Sequence, residues 1–97
     1  MARQMRRYEL HPEHEERFLT WWQRIPAARK GFGFTVLSAH IDRVNHEFTW
    51  IVEHEGDLDA FVAAETAWMT SPERVELFEG EPKHSAQIHV SMVDQVF

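Results

Sequence analysis

Residues 34–54, FTVLSAHIDRVNHEFTWIVEH, contain two runs of β-branched, aromatic and other apolar residues on either side of a short polar turn. The turn is Asp-Arg-Val-Asn at residues 42–45. A loop of this length between two such runs is typical of a β-hairpin. We therefore predict one strand over Phe34–Ile41 and a second strand over His46–His54.

The sequence before the hairpin predicts a strand followed by a helix. Residues 3–10 carry no helix start signal and end at His11-Pro12. Pro12 suits the first turn of a helix, and the glutamates after it favour the positive N-terminal end of that helix. Pro26 should end or kink this helix. Apolar residues at helical spacing form one stripe: Phe18, Trp21, Trp22 and Ile25.

The sequence after the hairpin predicts a helix, a short second helix and a last strand. Asp57 can cap the first of these helices, and Ser71 followed by Pro72 can cap and begin the next one. Residues 84–97 alternate loosely and are predicted to form a strand with an extended tail. The predicted inner faces of the two helices are Leu58, Phe61, Val62, Trp68 and Met69, then Val75 and Phe78.

The predicted order of elements is strand–helix–strand–strand–helix–strand, which is the α+β ferredoxin-like unit βαββαβ. This order gives a four-stranded antiparallel sheet with both helices on one face and the first and third strands in the centre. A single domain over residues 1–97 fits the length of the chain.

The composition excludes several classes of protein. The 97 residues include 10 Lys and Arg, 16 Asp and Glu and no cysteine, for a net charge of −6. The acidic balance argues against nucleic-acid binding, and the lack of cysteine excludes disulfides and thiol chemistry. No apolar run is long enough to cross a membrane, and no signal peptide follows Met1. We expect a cytoplasmic protein with neither nucleic acid nor membrane as a partner.

The sheet face away from the helices predicts a second copy as a partner. Phe48, Trp50 and Val52 share one face of the third strand and should meet the helices. The opposite face would then expose an apolar patch to water. Packing two such faces together would bury both, so we expect a homodimer. The residues assigned to this patch are Leu37, Ala39, Ile41 and Ile51.

Two segments resemble the NIPSNAP family. Residues 48–78, FTWIVEHEGDLDAFVAAETAWMTSPERVELF, resemble its aromatic-x-Trp strand, its helix ending in an aromatic residue and the Ser-Pro-Glu sequence that follows. Residues 6–22, RRYELHPEHEERFLTWW, resemble its opening strand and acidic first helix. The resemblance implies membership of the dimeric α/β-barrel superfamily, in which two ferredoxin-like protomers pack sheet to sheet.

That superfamily contains small monooxygenases, polyketide cyclases, haem-degrading enzymes, isomerases and proteins without known activity, so the resemblance names no reaction. Some of its cyclases use a Tyr and a His as acid/base partners. The matching positions here are Trp68 and Arg74, which are poor general bases. Arg74 also replaces the Trp of the NIPSNAP Pro-Glu-Trp sequence, and a position near His40 is usually aromatic in that family.

Two of the seven histidines are candidate catalytic residues, because imidazole exchanges protons near neutral pH. His54 is predicted at the end of the third strand, next to the second helix. His40 is predicted on the same strand face as Phe34. His11 and His14 have the spacing of a metal-binding pair, but a closed zinc site needs three or four ligands, so we expect no metal site.

Aromatic residues are the candidate ligand-binding groups. Four tryptophans and one tyrosine are many rings for so small a core, and such rings can leave a flat apolar slot. Tyr8, Trp50 and Trp68 should approach one another between the sheet and the helices. Arg74 and His54 should lie near the open end of this slot.

Two functions remain open from the sequence. The first is binding of a small aromatic or polyketide-like ligand without a cofactor, with the option of a cyclase, isomerase or monooxygenase reaction. The alternative is a non-catalytic NIPSNAP-like binding or assembly module with a packed interior, and haem or metal binding through a histidine is a weaker third option. A slot that touches both Trp and His would favour the first function.

Overall fold

A computed structural model describes Met1–Phe97 as a four-stranded antiparallel sheet in the order β2-β3-β1-β4, covered by helices. The central position of the first and third strands and the ferredoxin-like α+β fold are confirmed. In chain order the elements are β1 (Ala2–Leu10), a 3-10 turn (Pro12–His14), α1 (Glu15–Trp22), α2 (Ile25–Lys30), β2 (Phe34–Asp42), β3 (Glu47–His54), α3 (Leu58–Met69), α4 (Pro72–Phe78) and β4 (Ser85–Val93).

The helix ends follow local chemistry. The caps predicted for α3 and α4 are confirmed, because the Asp57 carboxylate accepts the Ala60 N–H at 2.9 Å and the Ser71 hydroxyl accepts the Arg74 N–H at 3.1 Å. Pro26 lies in the first turn of α2 rather than only ending α1, since a first-turn proline gives up no helical hydrogen bond. None of the helices has the length and hydropathy needed to span a membrane.

The core lies between the helices and one face of the sheet. Its centre is the buried β3 row of Phe48, Trp50 and Val52. Phe61 and Trp68 are the fully buried residues of α3. The wider inner faces predicted for α3 and α4 are wrong, because small and apolar residues occur all round α3 and their spacing does not single out one face. The exposed members are Leu58, Val62, Met69, Val75 and, at the edge, Phe78.

A β-bulge in β2 reverses part of the predicted facing. The register with β3 shifts between Val36 and Ser38. One extra residue in a strand turns every later side chain to the other face. Ala39 and Ile41 therefore lie on the helix side of the sheet, and His40 lies on the opposite side. The predicted facing of these three residues was wrong, because strand alternation alone does not reveal a bulge.

The sheet face away from the helices, called here the bare face, is more polar than predicted. Met5 and Ile51 are paired at its centre, and Leu37 at the bulge is exposed. Polar contacts surround them: the ion pairs Arg3–Glu53 at 2.8 Å and Arg7–Glu47 at 3.2 Å, and a hydrogen bond between His89 and Glu9 at 2.6 Å. No helix of the chain covers this face.

Candidate functional site

A cavity of about 230 Å³ lies between the helices and the sheet. All four residues predicted to shape a ligand site line it: Tyr8, Trp50, Trp68 and Arg74. Further rings come from α1 (Phe18, Trp21 and Trp22), and the partly exposed side is formed by Met69, Phe78 and Ile88. The structure therefore brings together the rings that the sequence predicted to meet.

The rings of the cavity pack edge to face. The Tyr8 and Trp50 ring centres are 6.4 Å apart at 78°, and those of Trp22 and Trp50 are 5.4 Å apart at 76°. Trp68 reaches this group through Arg29, whose guanidinium carbon lies 5.1 Å from the Trp50 ring centre and 5.4 Å from that of Trp68. The edge-to-face contacts between the rings are an arrangement that aromatic quadrupoles prefer. The same quadrupoles attract the guanidinium of Arg29.

Arg29 is a buried charge in the wall of the cavity. It is 3% exposed, and its Nη1 and Nη2 lie 3.0 and 3.4 Å from the two carboxylate oxygens of Glu65. Burial lowers the pKa of Arg29, and the hydrogen bond to Glu65 opposes that effect. The guanidinium stays charged, because arginine does not lose its proton in proteins.

Arg6 extends this charged wall along β1. Its Nε donates to the Tyr8 hydroxyl oxygen at 2.8 Å, and its Nη1 donates to the Gln4 side-chain oxygen at 2.9 Å. Its Nη1 also lies 3.6 Å from a Glu65 oxygen. Alternation along the strand puts Arg6 and Tyr8 on the same face. The Glu65 carboxylate therefore contacts both Arg6 and Arg29.

Three residues that line the cavity have a buried N–H group without a partner. The Nε1 of Trp22, the Nε1 of Trp50 and the Nε of Arg29 are buried without a hydrogen bond. In contrast, the Trp21 Nε1 donates to the Leu77 carbonyl oxygen at 2.7 Å. Unpartnered buried donors are uncommon in folded proteins, and these three all belong to residues that line the same cavity.

His84 is the one histidine that lines the cavity. It is 7% exposed, its ring centre lies 4.9 Å from that of Trp21, and its Nε2 is 3.1 Å from a Glu81 oxygen. Burial lowers the pKa of His84 below its ordinary value of 6.5, against the opposing effect of Glu81. The imidazole is therefore neutral at neutral pH and can accept a proton.

The two histidines predicted to be catalytic lie away from the cavity. His54 accepts the Gly56 N–H through Nδ1 at 3.3 Å and packs against Phe34. Its Nε2 lies so close to Gly33 (φ 87°) that a Cβ there would stand only 2.8 Å away. His40 is exposed on the bare face. The prediction that His54 lies near the open end of the slot was therefore wrong, and so was the placement of His40.

Arg74 lines the cavity and forms no ion pair with the glutamates of its own helix. Its guanidinium carbon lies 4.2 Å from the ring centre of Phe78. His11 and His14 have ring centres 6.1 Å apart. No group of three or more His, Asp or Glu side chains in the chain could hold a metal ion.

Sequence reasoning missed Arg6, Arg29 and His84 as lining residues. Alternation on β1 places Arg6 on the face of Tyr8, and that signal could have found it. Arg29 stands beside Lys30 in a run that resembles a solvated helix end. His84 follows a turn and precedes a strand, so only the packing of α1 against it shows that it is buried.

Similarity to other proteins is structural. No protein-family model matches the sequence, and no curated protein is significantly similar to it. A NIPSNAP family protein of unknown function from Agrobacterium tumefaciens superposes with a TM-score of 0.83 at 12% identity, over 96% of this chain and 86% of that chain. An uncharacterized NIPSNAP domain protein from Burkholderia xenovorans gives a TM-score of 0.81 at 10% identity, over 98% and 94% of the two chains.

A protein described as an antibiotic biosynthesis monooxygenase gives a TM-score of 0.70 at 17% identity, over 99% of both chains. Structural similarity at sequence identities this low shows a shared fold and does not show a shared activity. The chain therefore has the fold of NIPSNAP family proteins and of antibiotic biosynthesis monooxygenases.

Proposed function

We propose that the chain binds a small planar aromatic compound in the cavity between its sheet and its helices. The observation that carries this proposal is the convergence of Tyr8, Trp50 and Trp68 on one partly open cavity. Aromatic rings prefer edge-to-face or offset contact with one another, so a planar ring that entered the cavity would find favourable partners there. Partly exposed side chains at Met69 and Ile88 leave a route for entry.

The volume of the cavity limits the size of the ligand. Sites for drug-sized molecules range from roughly 300 to 1,000 Å³, and this cavity measures about 230 Å³. We therefore propose one or two fused rings in preference to a polycyclic polyketide.

A thermal-shift screen of one-ring and two-ring aromatic compounds tests this function. A compound at a hundred times its dissociation constant should stabilise the protein by about 2.7 kcal/mol. Ile88→Trp should abolish the shift, because Ile88 lines the cavity and is 55% exposed, so a larger ring there can fill the entrance without disturbing the core.

Val90→Trp is the matched control for this substitution. Val90 lies on the same strand and face at 47% exposure but does not line the cavity, so its variant should bind as the wild type does. If no compound shifts the unfolding temperature, the alternative of a non-catalytic binding or assembly module replaces this proposal.

A second candidate function is proton transfer on the bound ligand by His84. It is supported by the buried neutral imidazole, which lines the cavity and is held by Glu81. The proteins with a similar structure include one described as an antibiotic biosynthesis monooxygenase. A reaction without a cofactor would need a side chain that accepts a proton, and His84 could do so. His84 replaces His54 and His40 in this role.

Exchange of the acidic C–H protons of β-tetralone for deuterium tests this second function. Removal of the proton by the imidazole and its replacement from heavy water changes no other bond. Wild-type protein should accelerate the exchange, and His84→Gln should abolish the acceleration while the compound still binds. Equal exchange with both proteins would rule out this role for His84.

We also propose that the chain works as a homodimer joined through its bare faces. The supporting observation is that Met5 and Ile51 lie at the centre of an uncovered sheet face, among Arg–Glu pairs that a second copy could cover. Ala39 and Ile41, which the sequence assigned to this interface, lie on the helix side of the sheet and do not support the proposal.

A further inference from the structure

The cavity wall carries more positive charge than its own carboxylate can balance. Arg6, Arg29 and Arg74 all line the cavity. Glu65 is the one carboxylate in ionic contact with them, at 3.0 Å from Arg29 and 3.6 Å from Arg6. Arg74 has no ionic partner. The cavity is thus a cationic site within a chain whose net charge is −6.

Burial makes this excess positive charge energetically unfavourable. Arg29 is almost fully buried, and the side chain of Arg6 is 15% exposed. A buried charge without a full counter-charge is costly, because neither water nor a partner solvates it. An anion that entered the cavity would supply the missing negative charge.

The hydrogen-bonding groups of the wall point to the same ligand chemistry. Trp22, Trp50 and Arg29 each have an unpartnered buried N–H. Indole and guanidinium groups donate hydrogen bonds and accept none. The oxygen of the Tyr8 hydroxyl already accepts from Arg6. A ligand that came into contact with these groups would satisfy them only with acceptor atoms such as oxygens.

We propose that the ligand is an aromatic oxyanion, such as a ring carboxylate, with its charged oxygens against Arg6 and Arg29. This inference rests on the proposed binding of an aromatic compound and adds the charge of that compound. The rings of the cavity hold the planar body, and the guanidiniums stacked near Trp50 hold the anionic group. Hydrogen bonds between two charged groups are the stronger kind, so the charge contributes to both affinity and selectivity.

Calorimetric titrations with naphthoate and naphthamide test this inference, because the two compounds have nearly the same shape and differ in charge. Wild-type protein should bind naphthoate about tenfold more tightly or better. Arg29→Met should bring the two affinities together while naphthamide binding persists. Arg6→Gln, at a less buried position, should reduce the preference in the same direction if Arg29→Met does not fold.

Arg24→Met is the matched control, because Arg24 is exposed and outside this cavity, so it removes the same charge without changing the site. It should keep the preference for naphthoate. Equal binding of the two compounds by the wild type would overturn the anion inference and leave the proposed aromatic site standing. Failure of both compounds, and of every neutral ring in the screen, would overturn the proposed function and this inference with it.

Discussion

Replacing Glu65 by Gln removes the carboxylate that pairs with both buried guanidiniums. Arg29 is 3% exposed, and the Glu65 side chain is 20% exposed. Breaking a fully buried ion pair costs about 3–5 kcal/mol, whereas an exposed pair contributes about 0–1 kcal/mol. Because Glu65 keeps some contact with water, we expect Glu65→Gln to lower the free energy of unfolding by about 2–3 kcal/mol. In a domain of this size that corresponds to a fall in Tm on the order of 10–20 °C.

Urea unfolding of the wild type and Glu65→Gln measures this change. Glu76→Gln is the control, because Glu76 is exposed and has no ionic partner, and it should change stability by less than about 0.5 kcal/mol. Arg29→Met, alone and combined with Glu65→Gln, completes a double-mutant cycle that isolates the interaction of the pair. A Glu65→Gln variant as stable as the control would refute the view that Arg29 depends on this carboxylate.

Three further results are expected. Ser71→Ala should lower the free energy of unfolding by about 1–2 kcal/mol in chemical denaturation, because the buried hydroxyl both caps α4 and donates to the Trp68 carbonyl oxygen at 2.7 Å; an unchanged midpoint would contradict this. The folded-state pKa of His84 is lowered below 6.5, so the unfolded chain binds more protons and stability should fall as the pH drops through and below 6.5. His84→Gln should flatten that slope in denaturation at several pH values, and an identical slope would exclude His84 as its source. Ile51→Lys should give monomers in sedimentation, whereas Val44→Lys, in the exposed hairpin loop, should keep the mass of the wild type; a monomeric wild type would refute the dimer.

The order and type of the strands could be predicted from the sequence because hairpin turns and β-branched runs are local signals. The bulge in β2 could not, since Leu37 fits either face of a strand and only the register with β3 reveals the extra residue. The facing of Ala39, Ile41 and His40 depends on that one residue. Pro26 likewise allows two interpretations, the end of one helix or the beginning of the next.

The ring part of the candidate site followed from the sequence because one face of β3 carries its largest apolar residues, and that face was expected to meet the helices. Trp50 and Tyr8 lie on the two central strands, and Trp68 lies on the buried face of α3. The charged part did not follow, because the burial of Arg29 depends on Glu65 and three rings from other elements. Such tertiary pairing leaves no periodic signal in the chain.

The indole N–H resonances of the four tryptophans test the central claim, that an aromatic ligand binds in this cavity, most directly. In isotope-labelled protein they can be assigned with single Trp→Phe variants and followed during titration with naphthoate. The N–H groups of Trp22 and Trp50 have no partner, so their resonances should move most. The N–H of Trp21 is already bonded to Leu77, so its resonance should move least. Unchanged Trp22 and Trp50 resonances at saturating naphthoate would contradict the account.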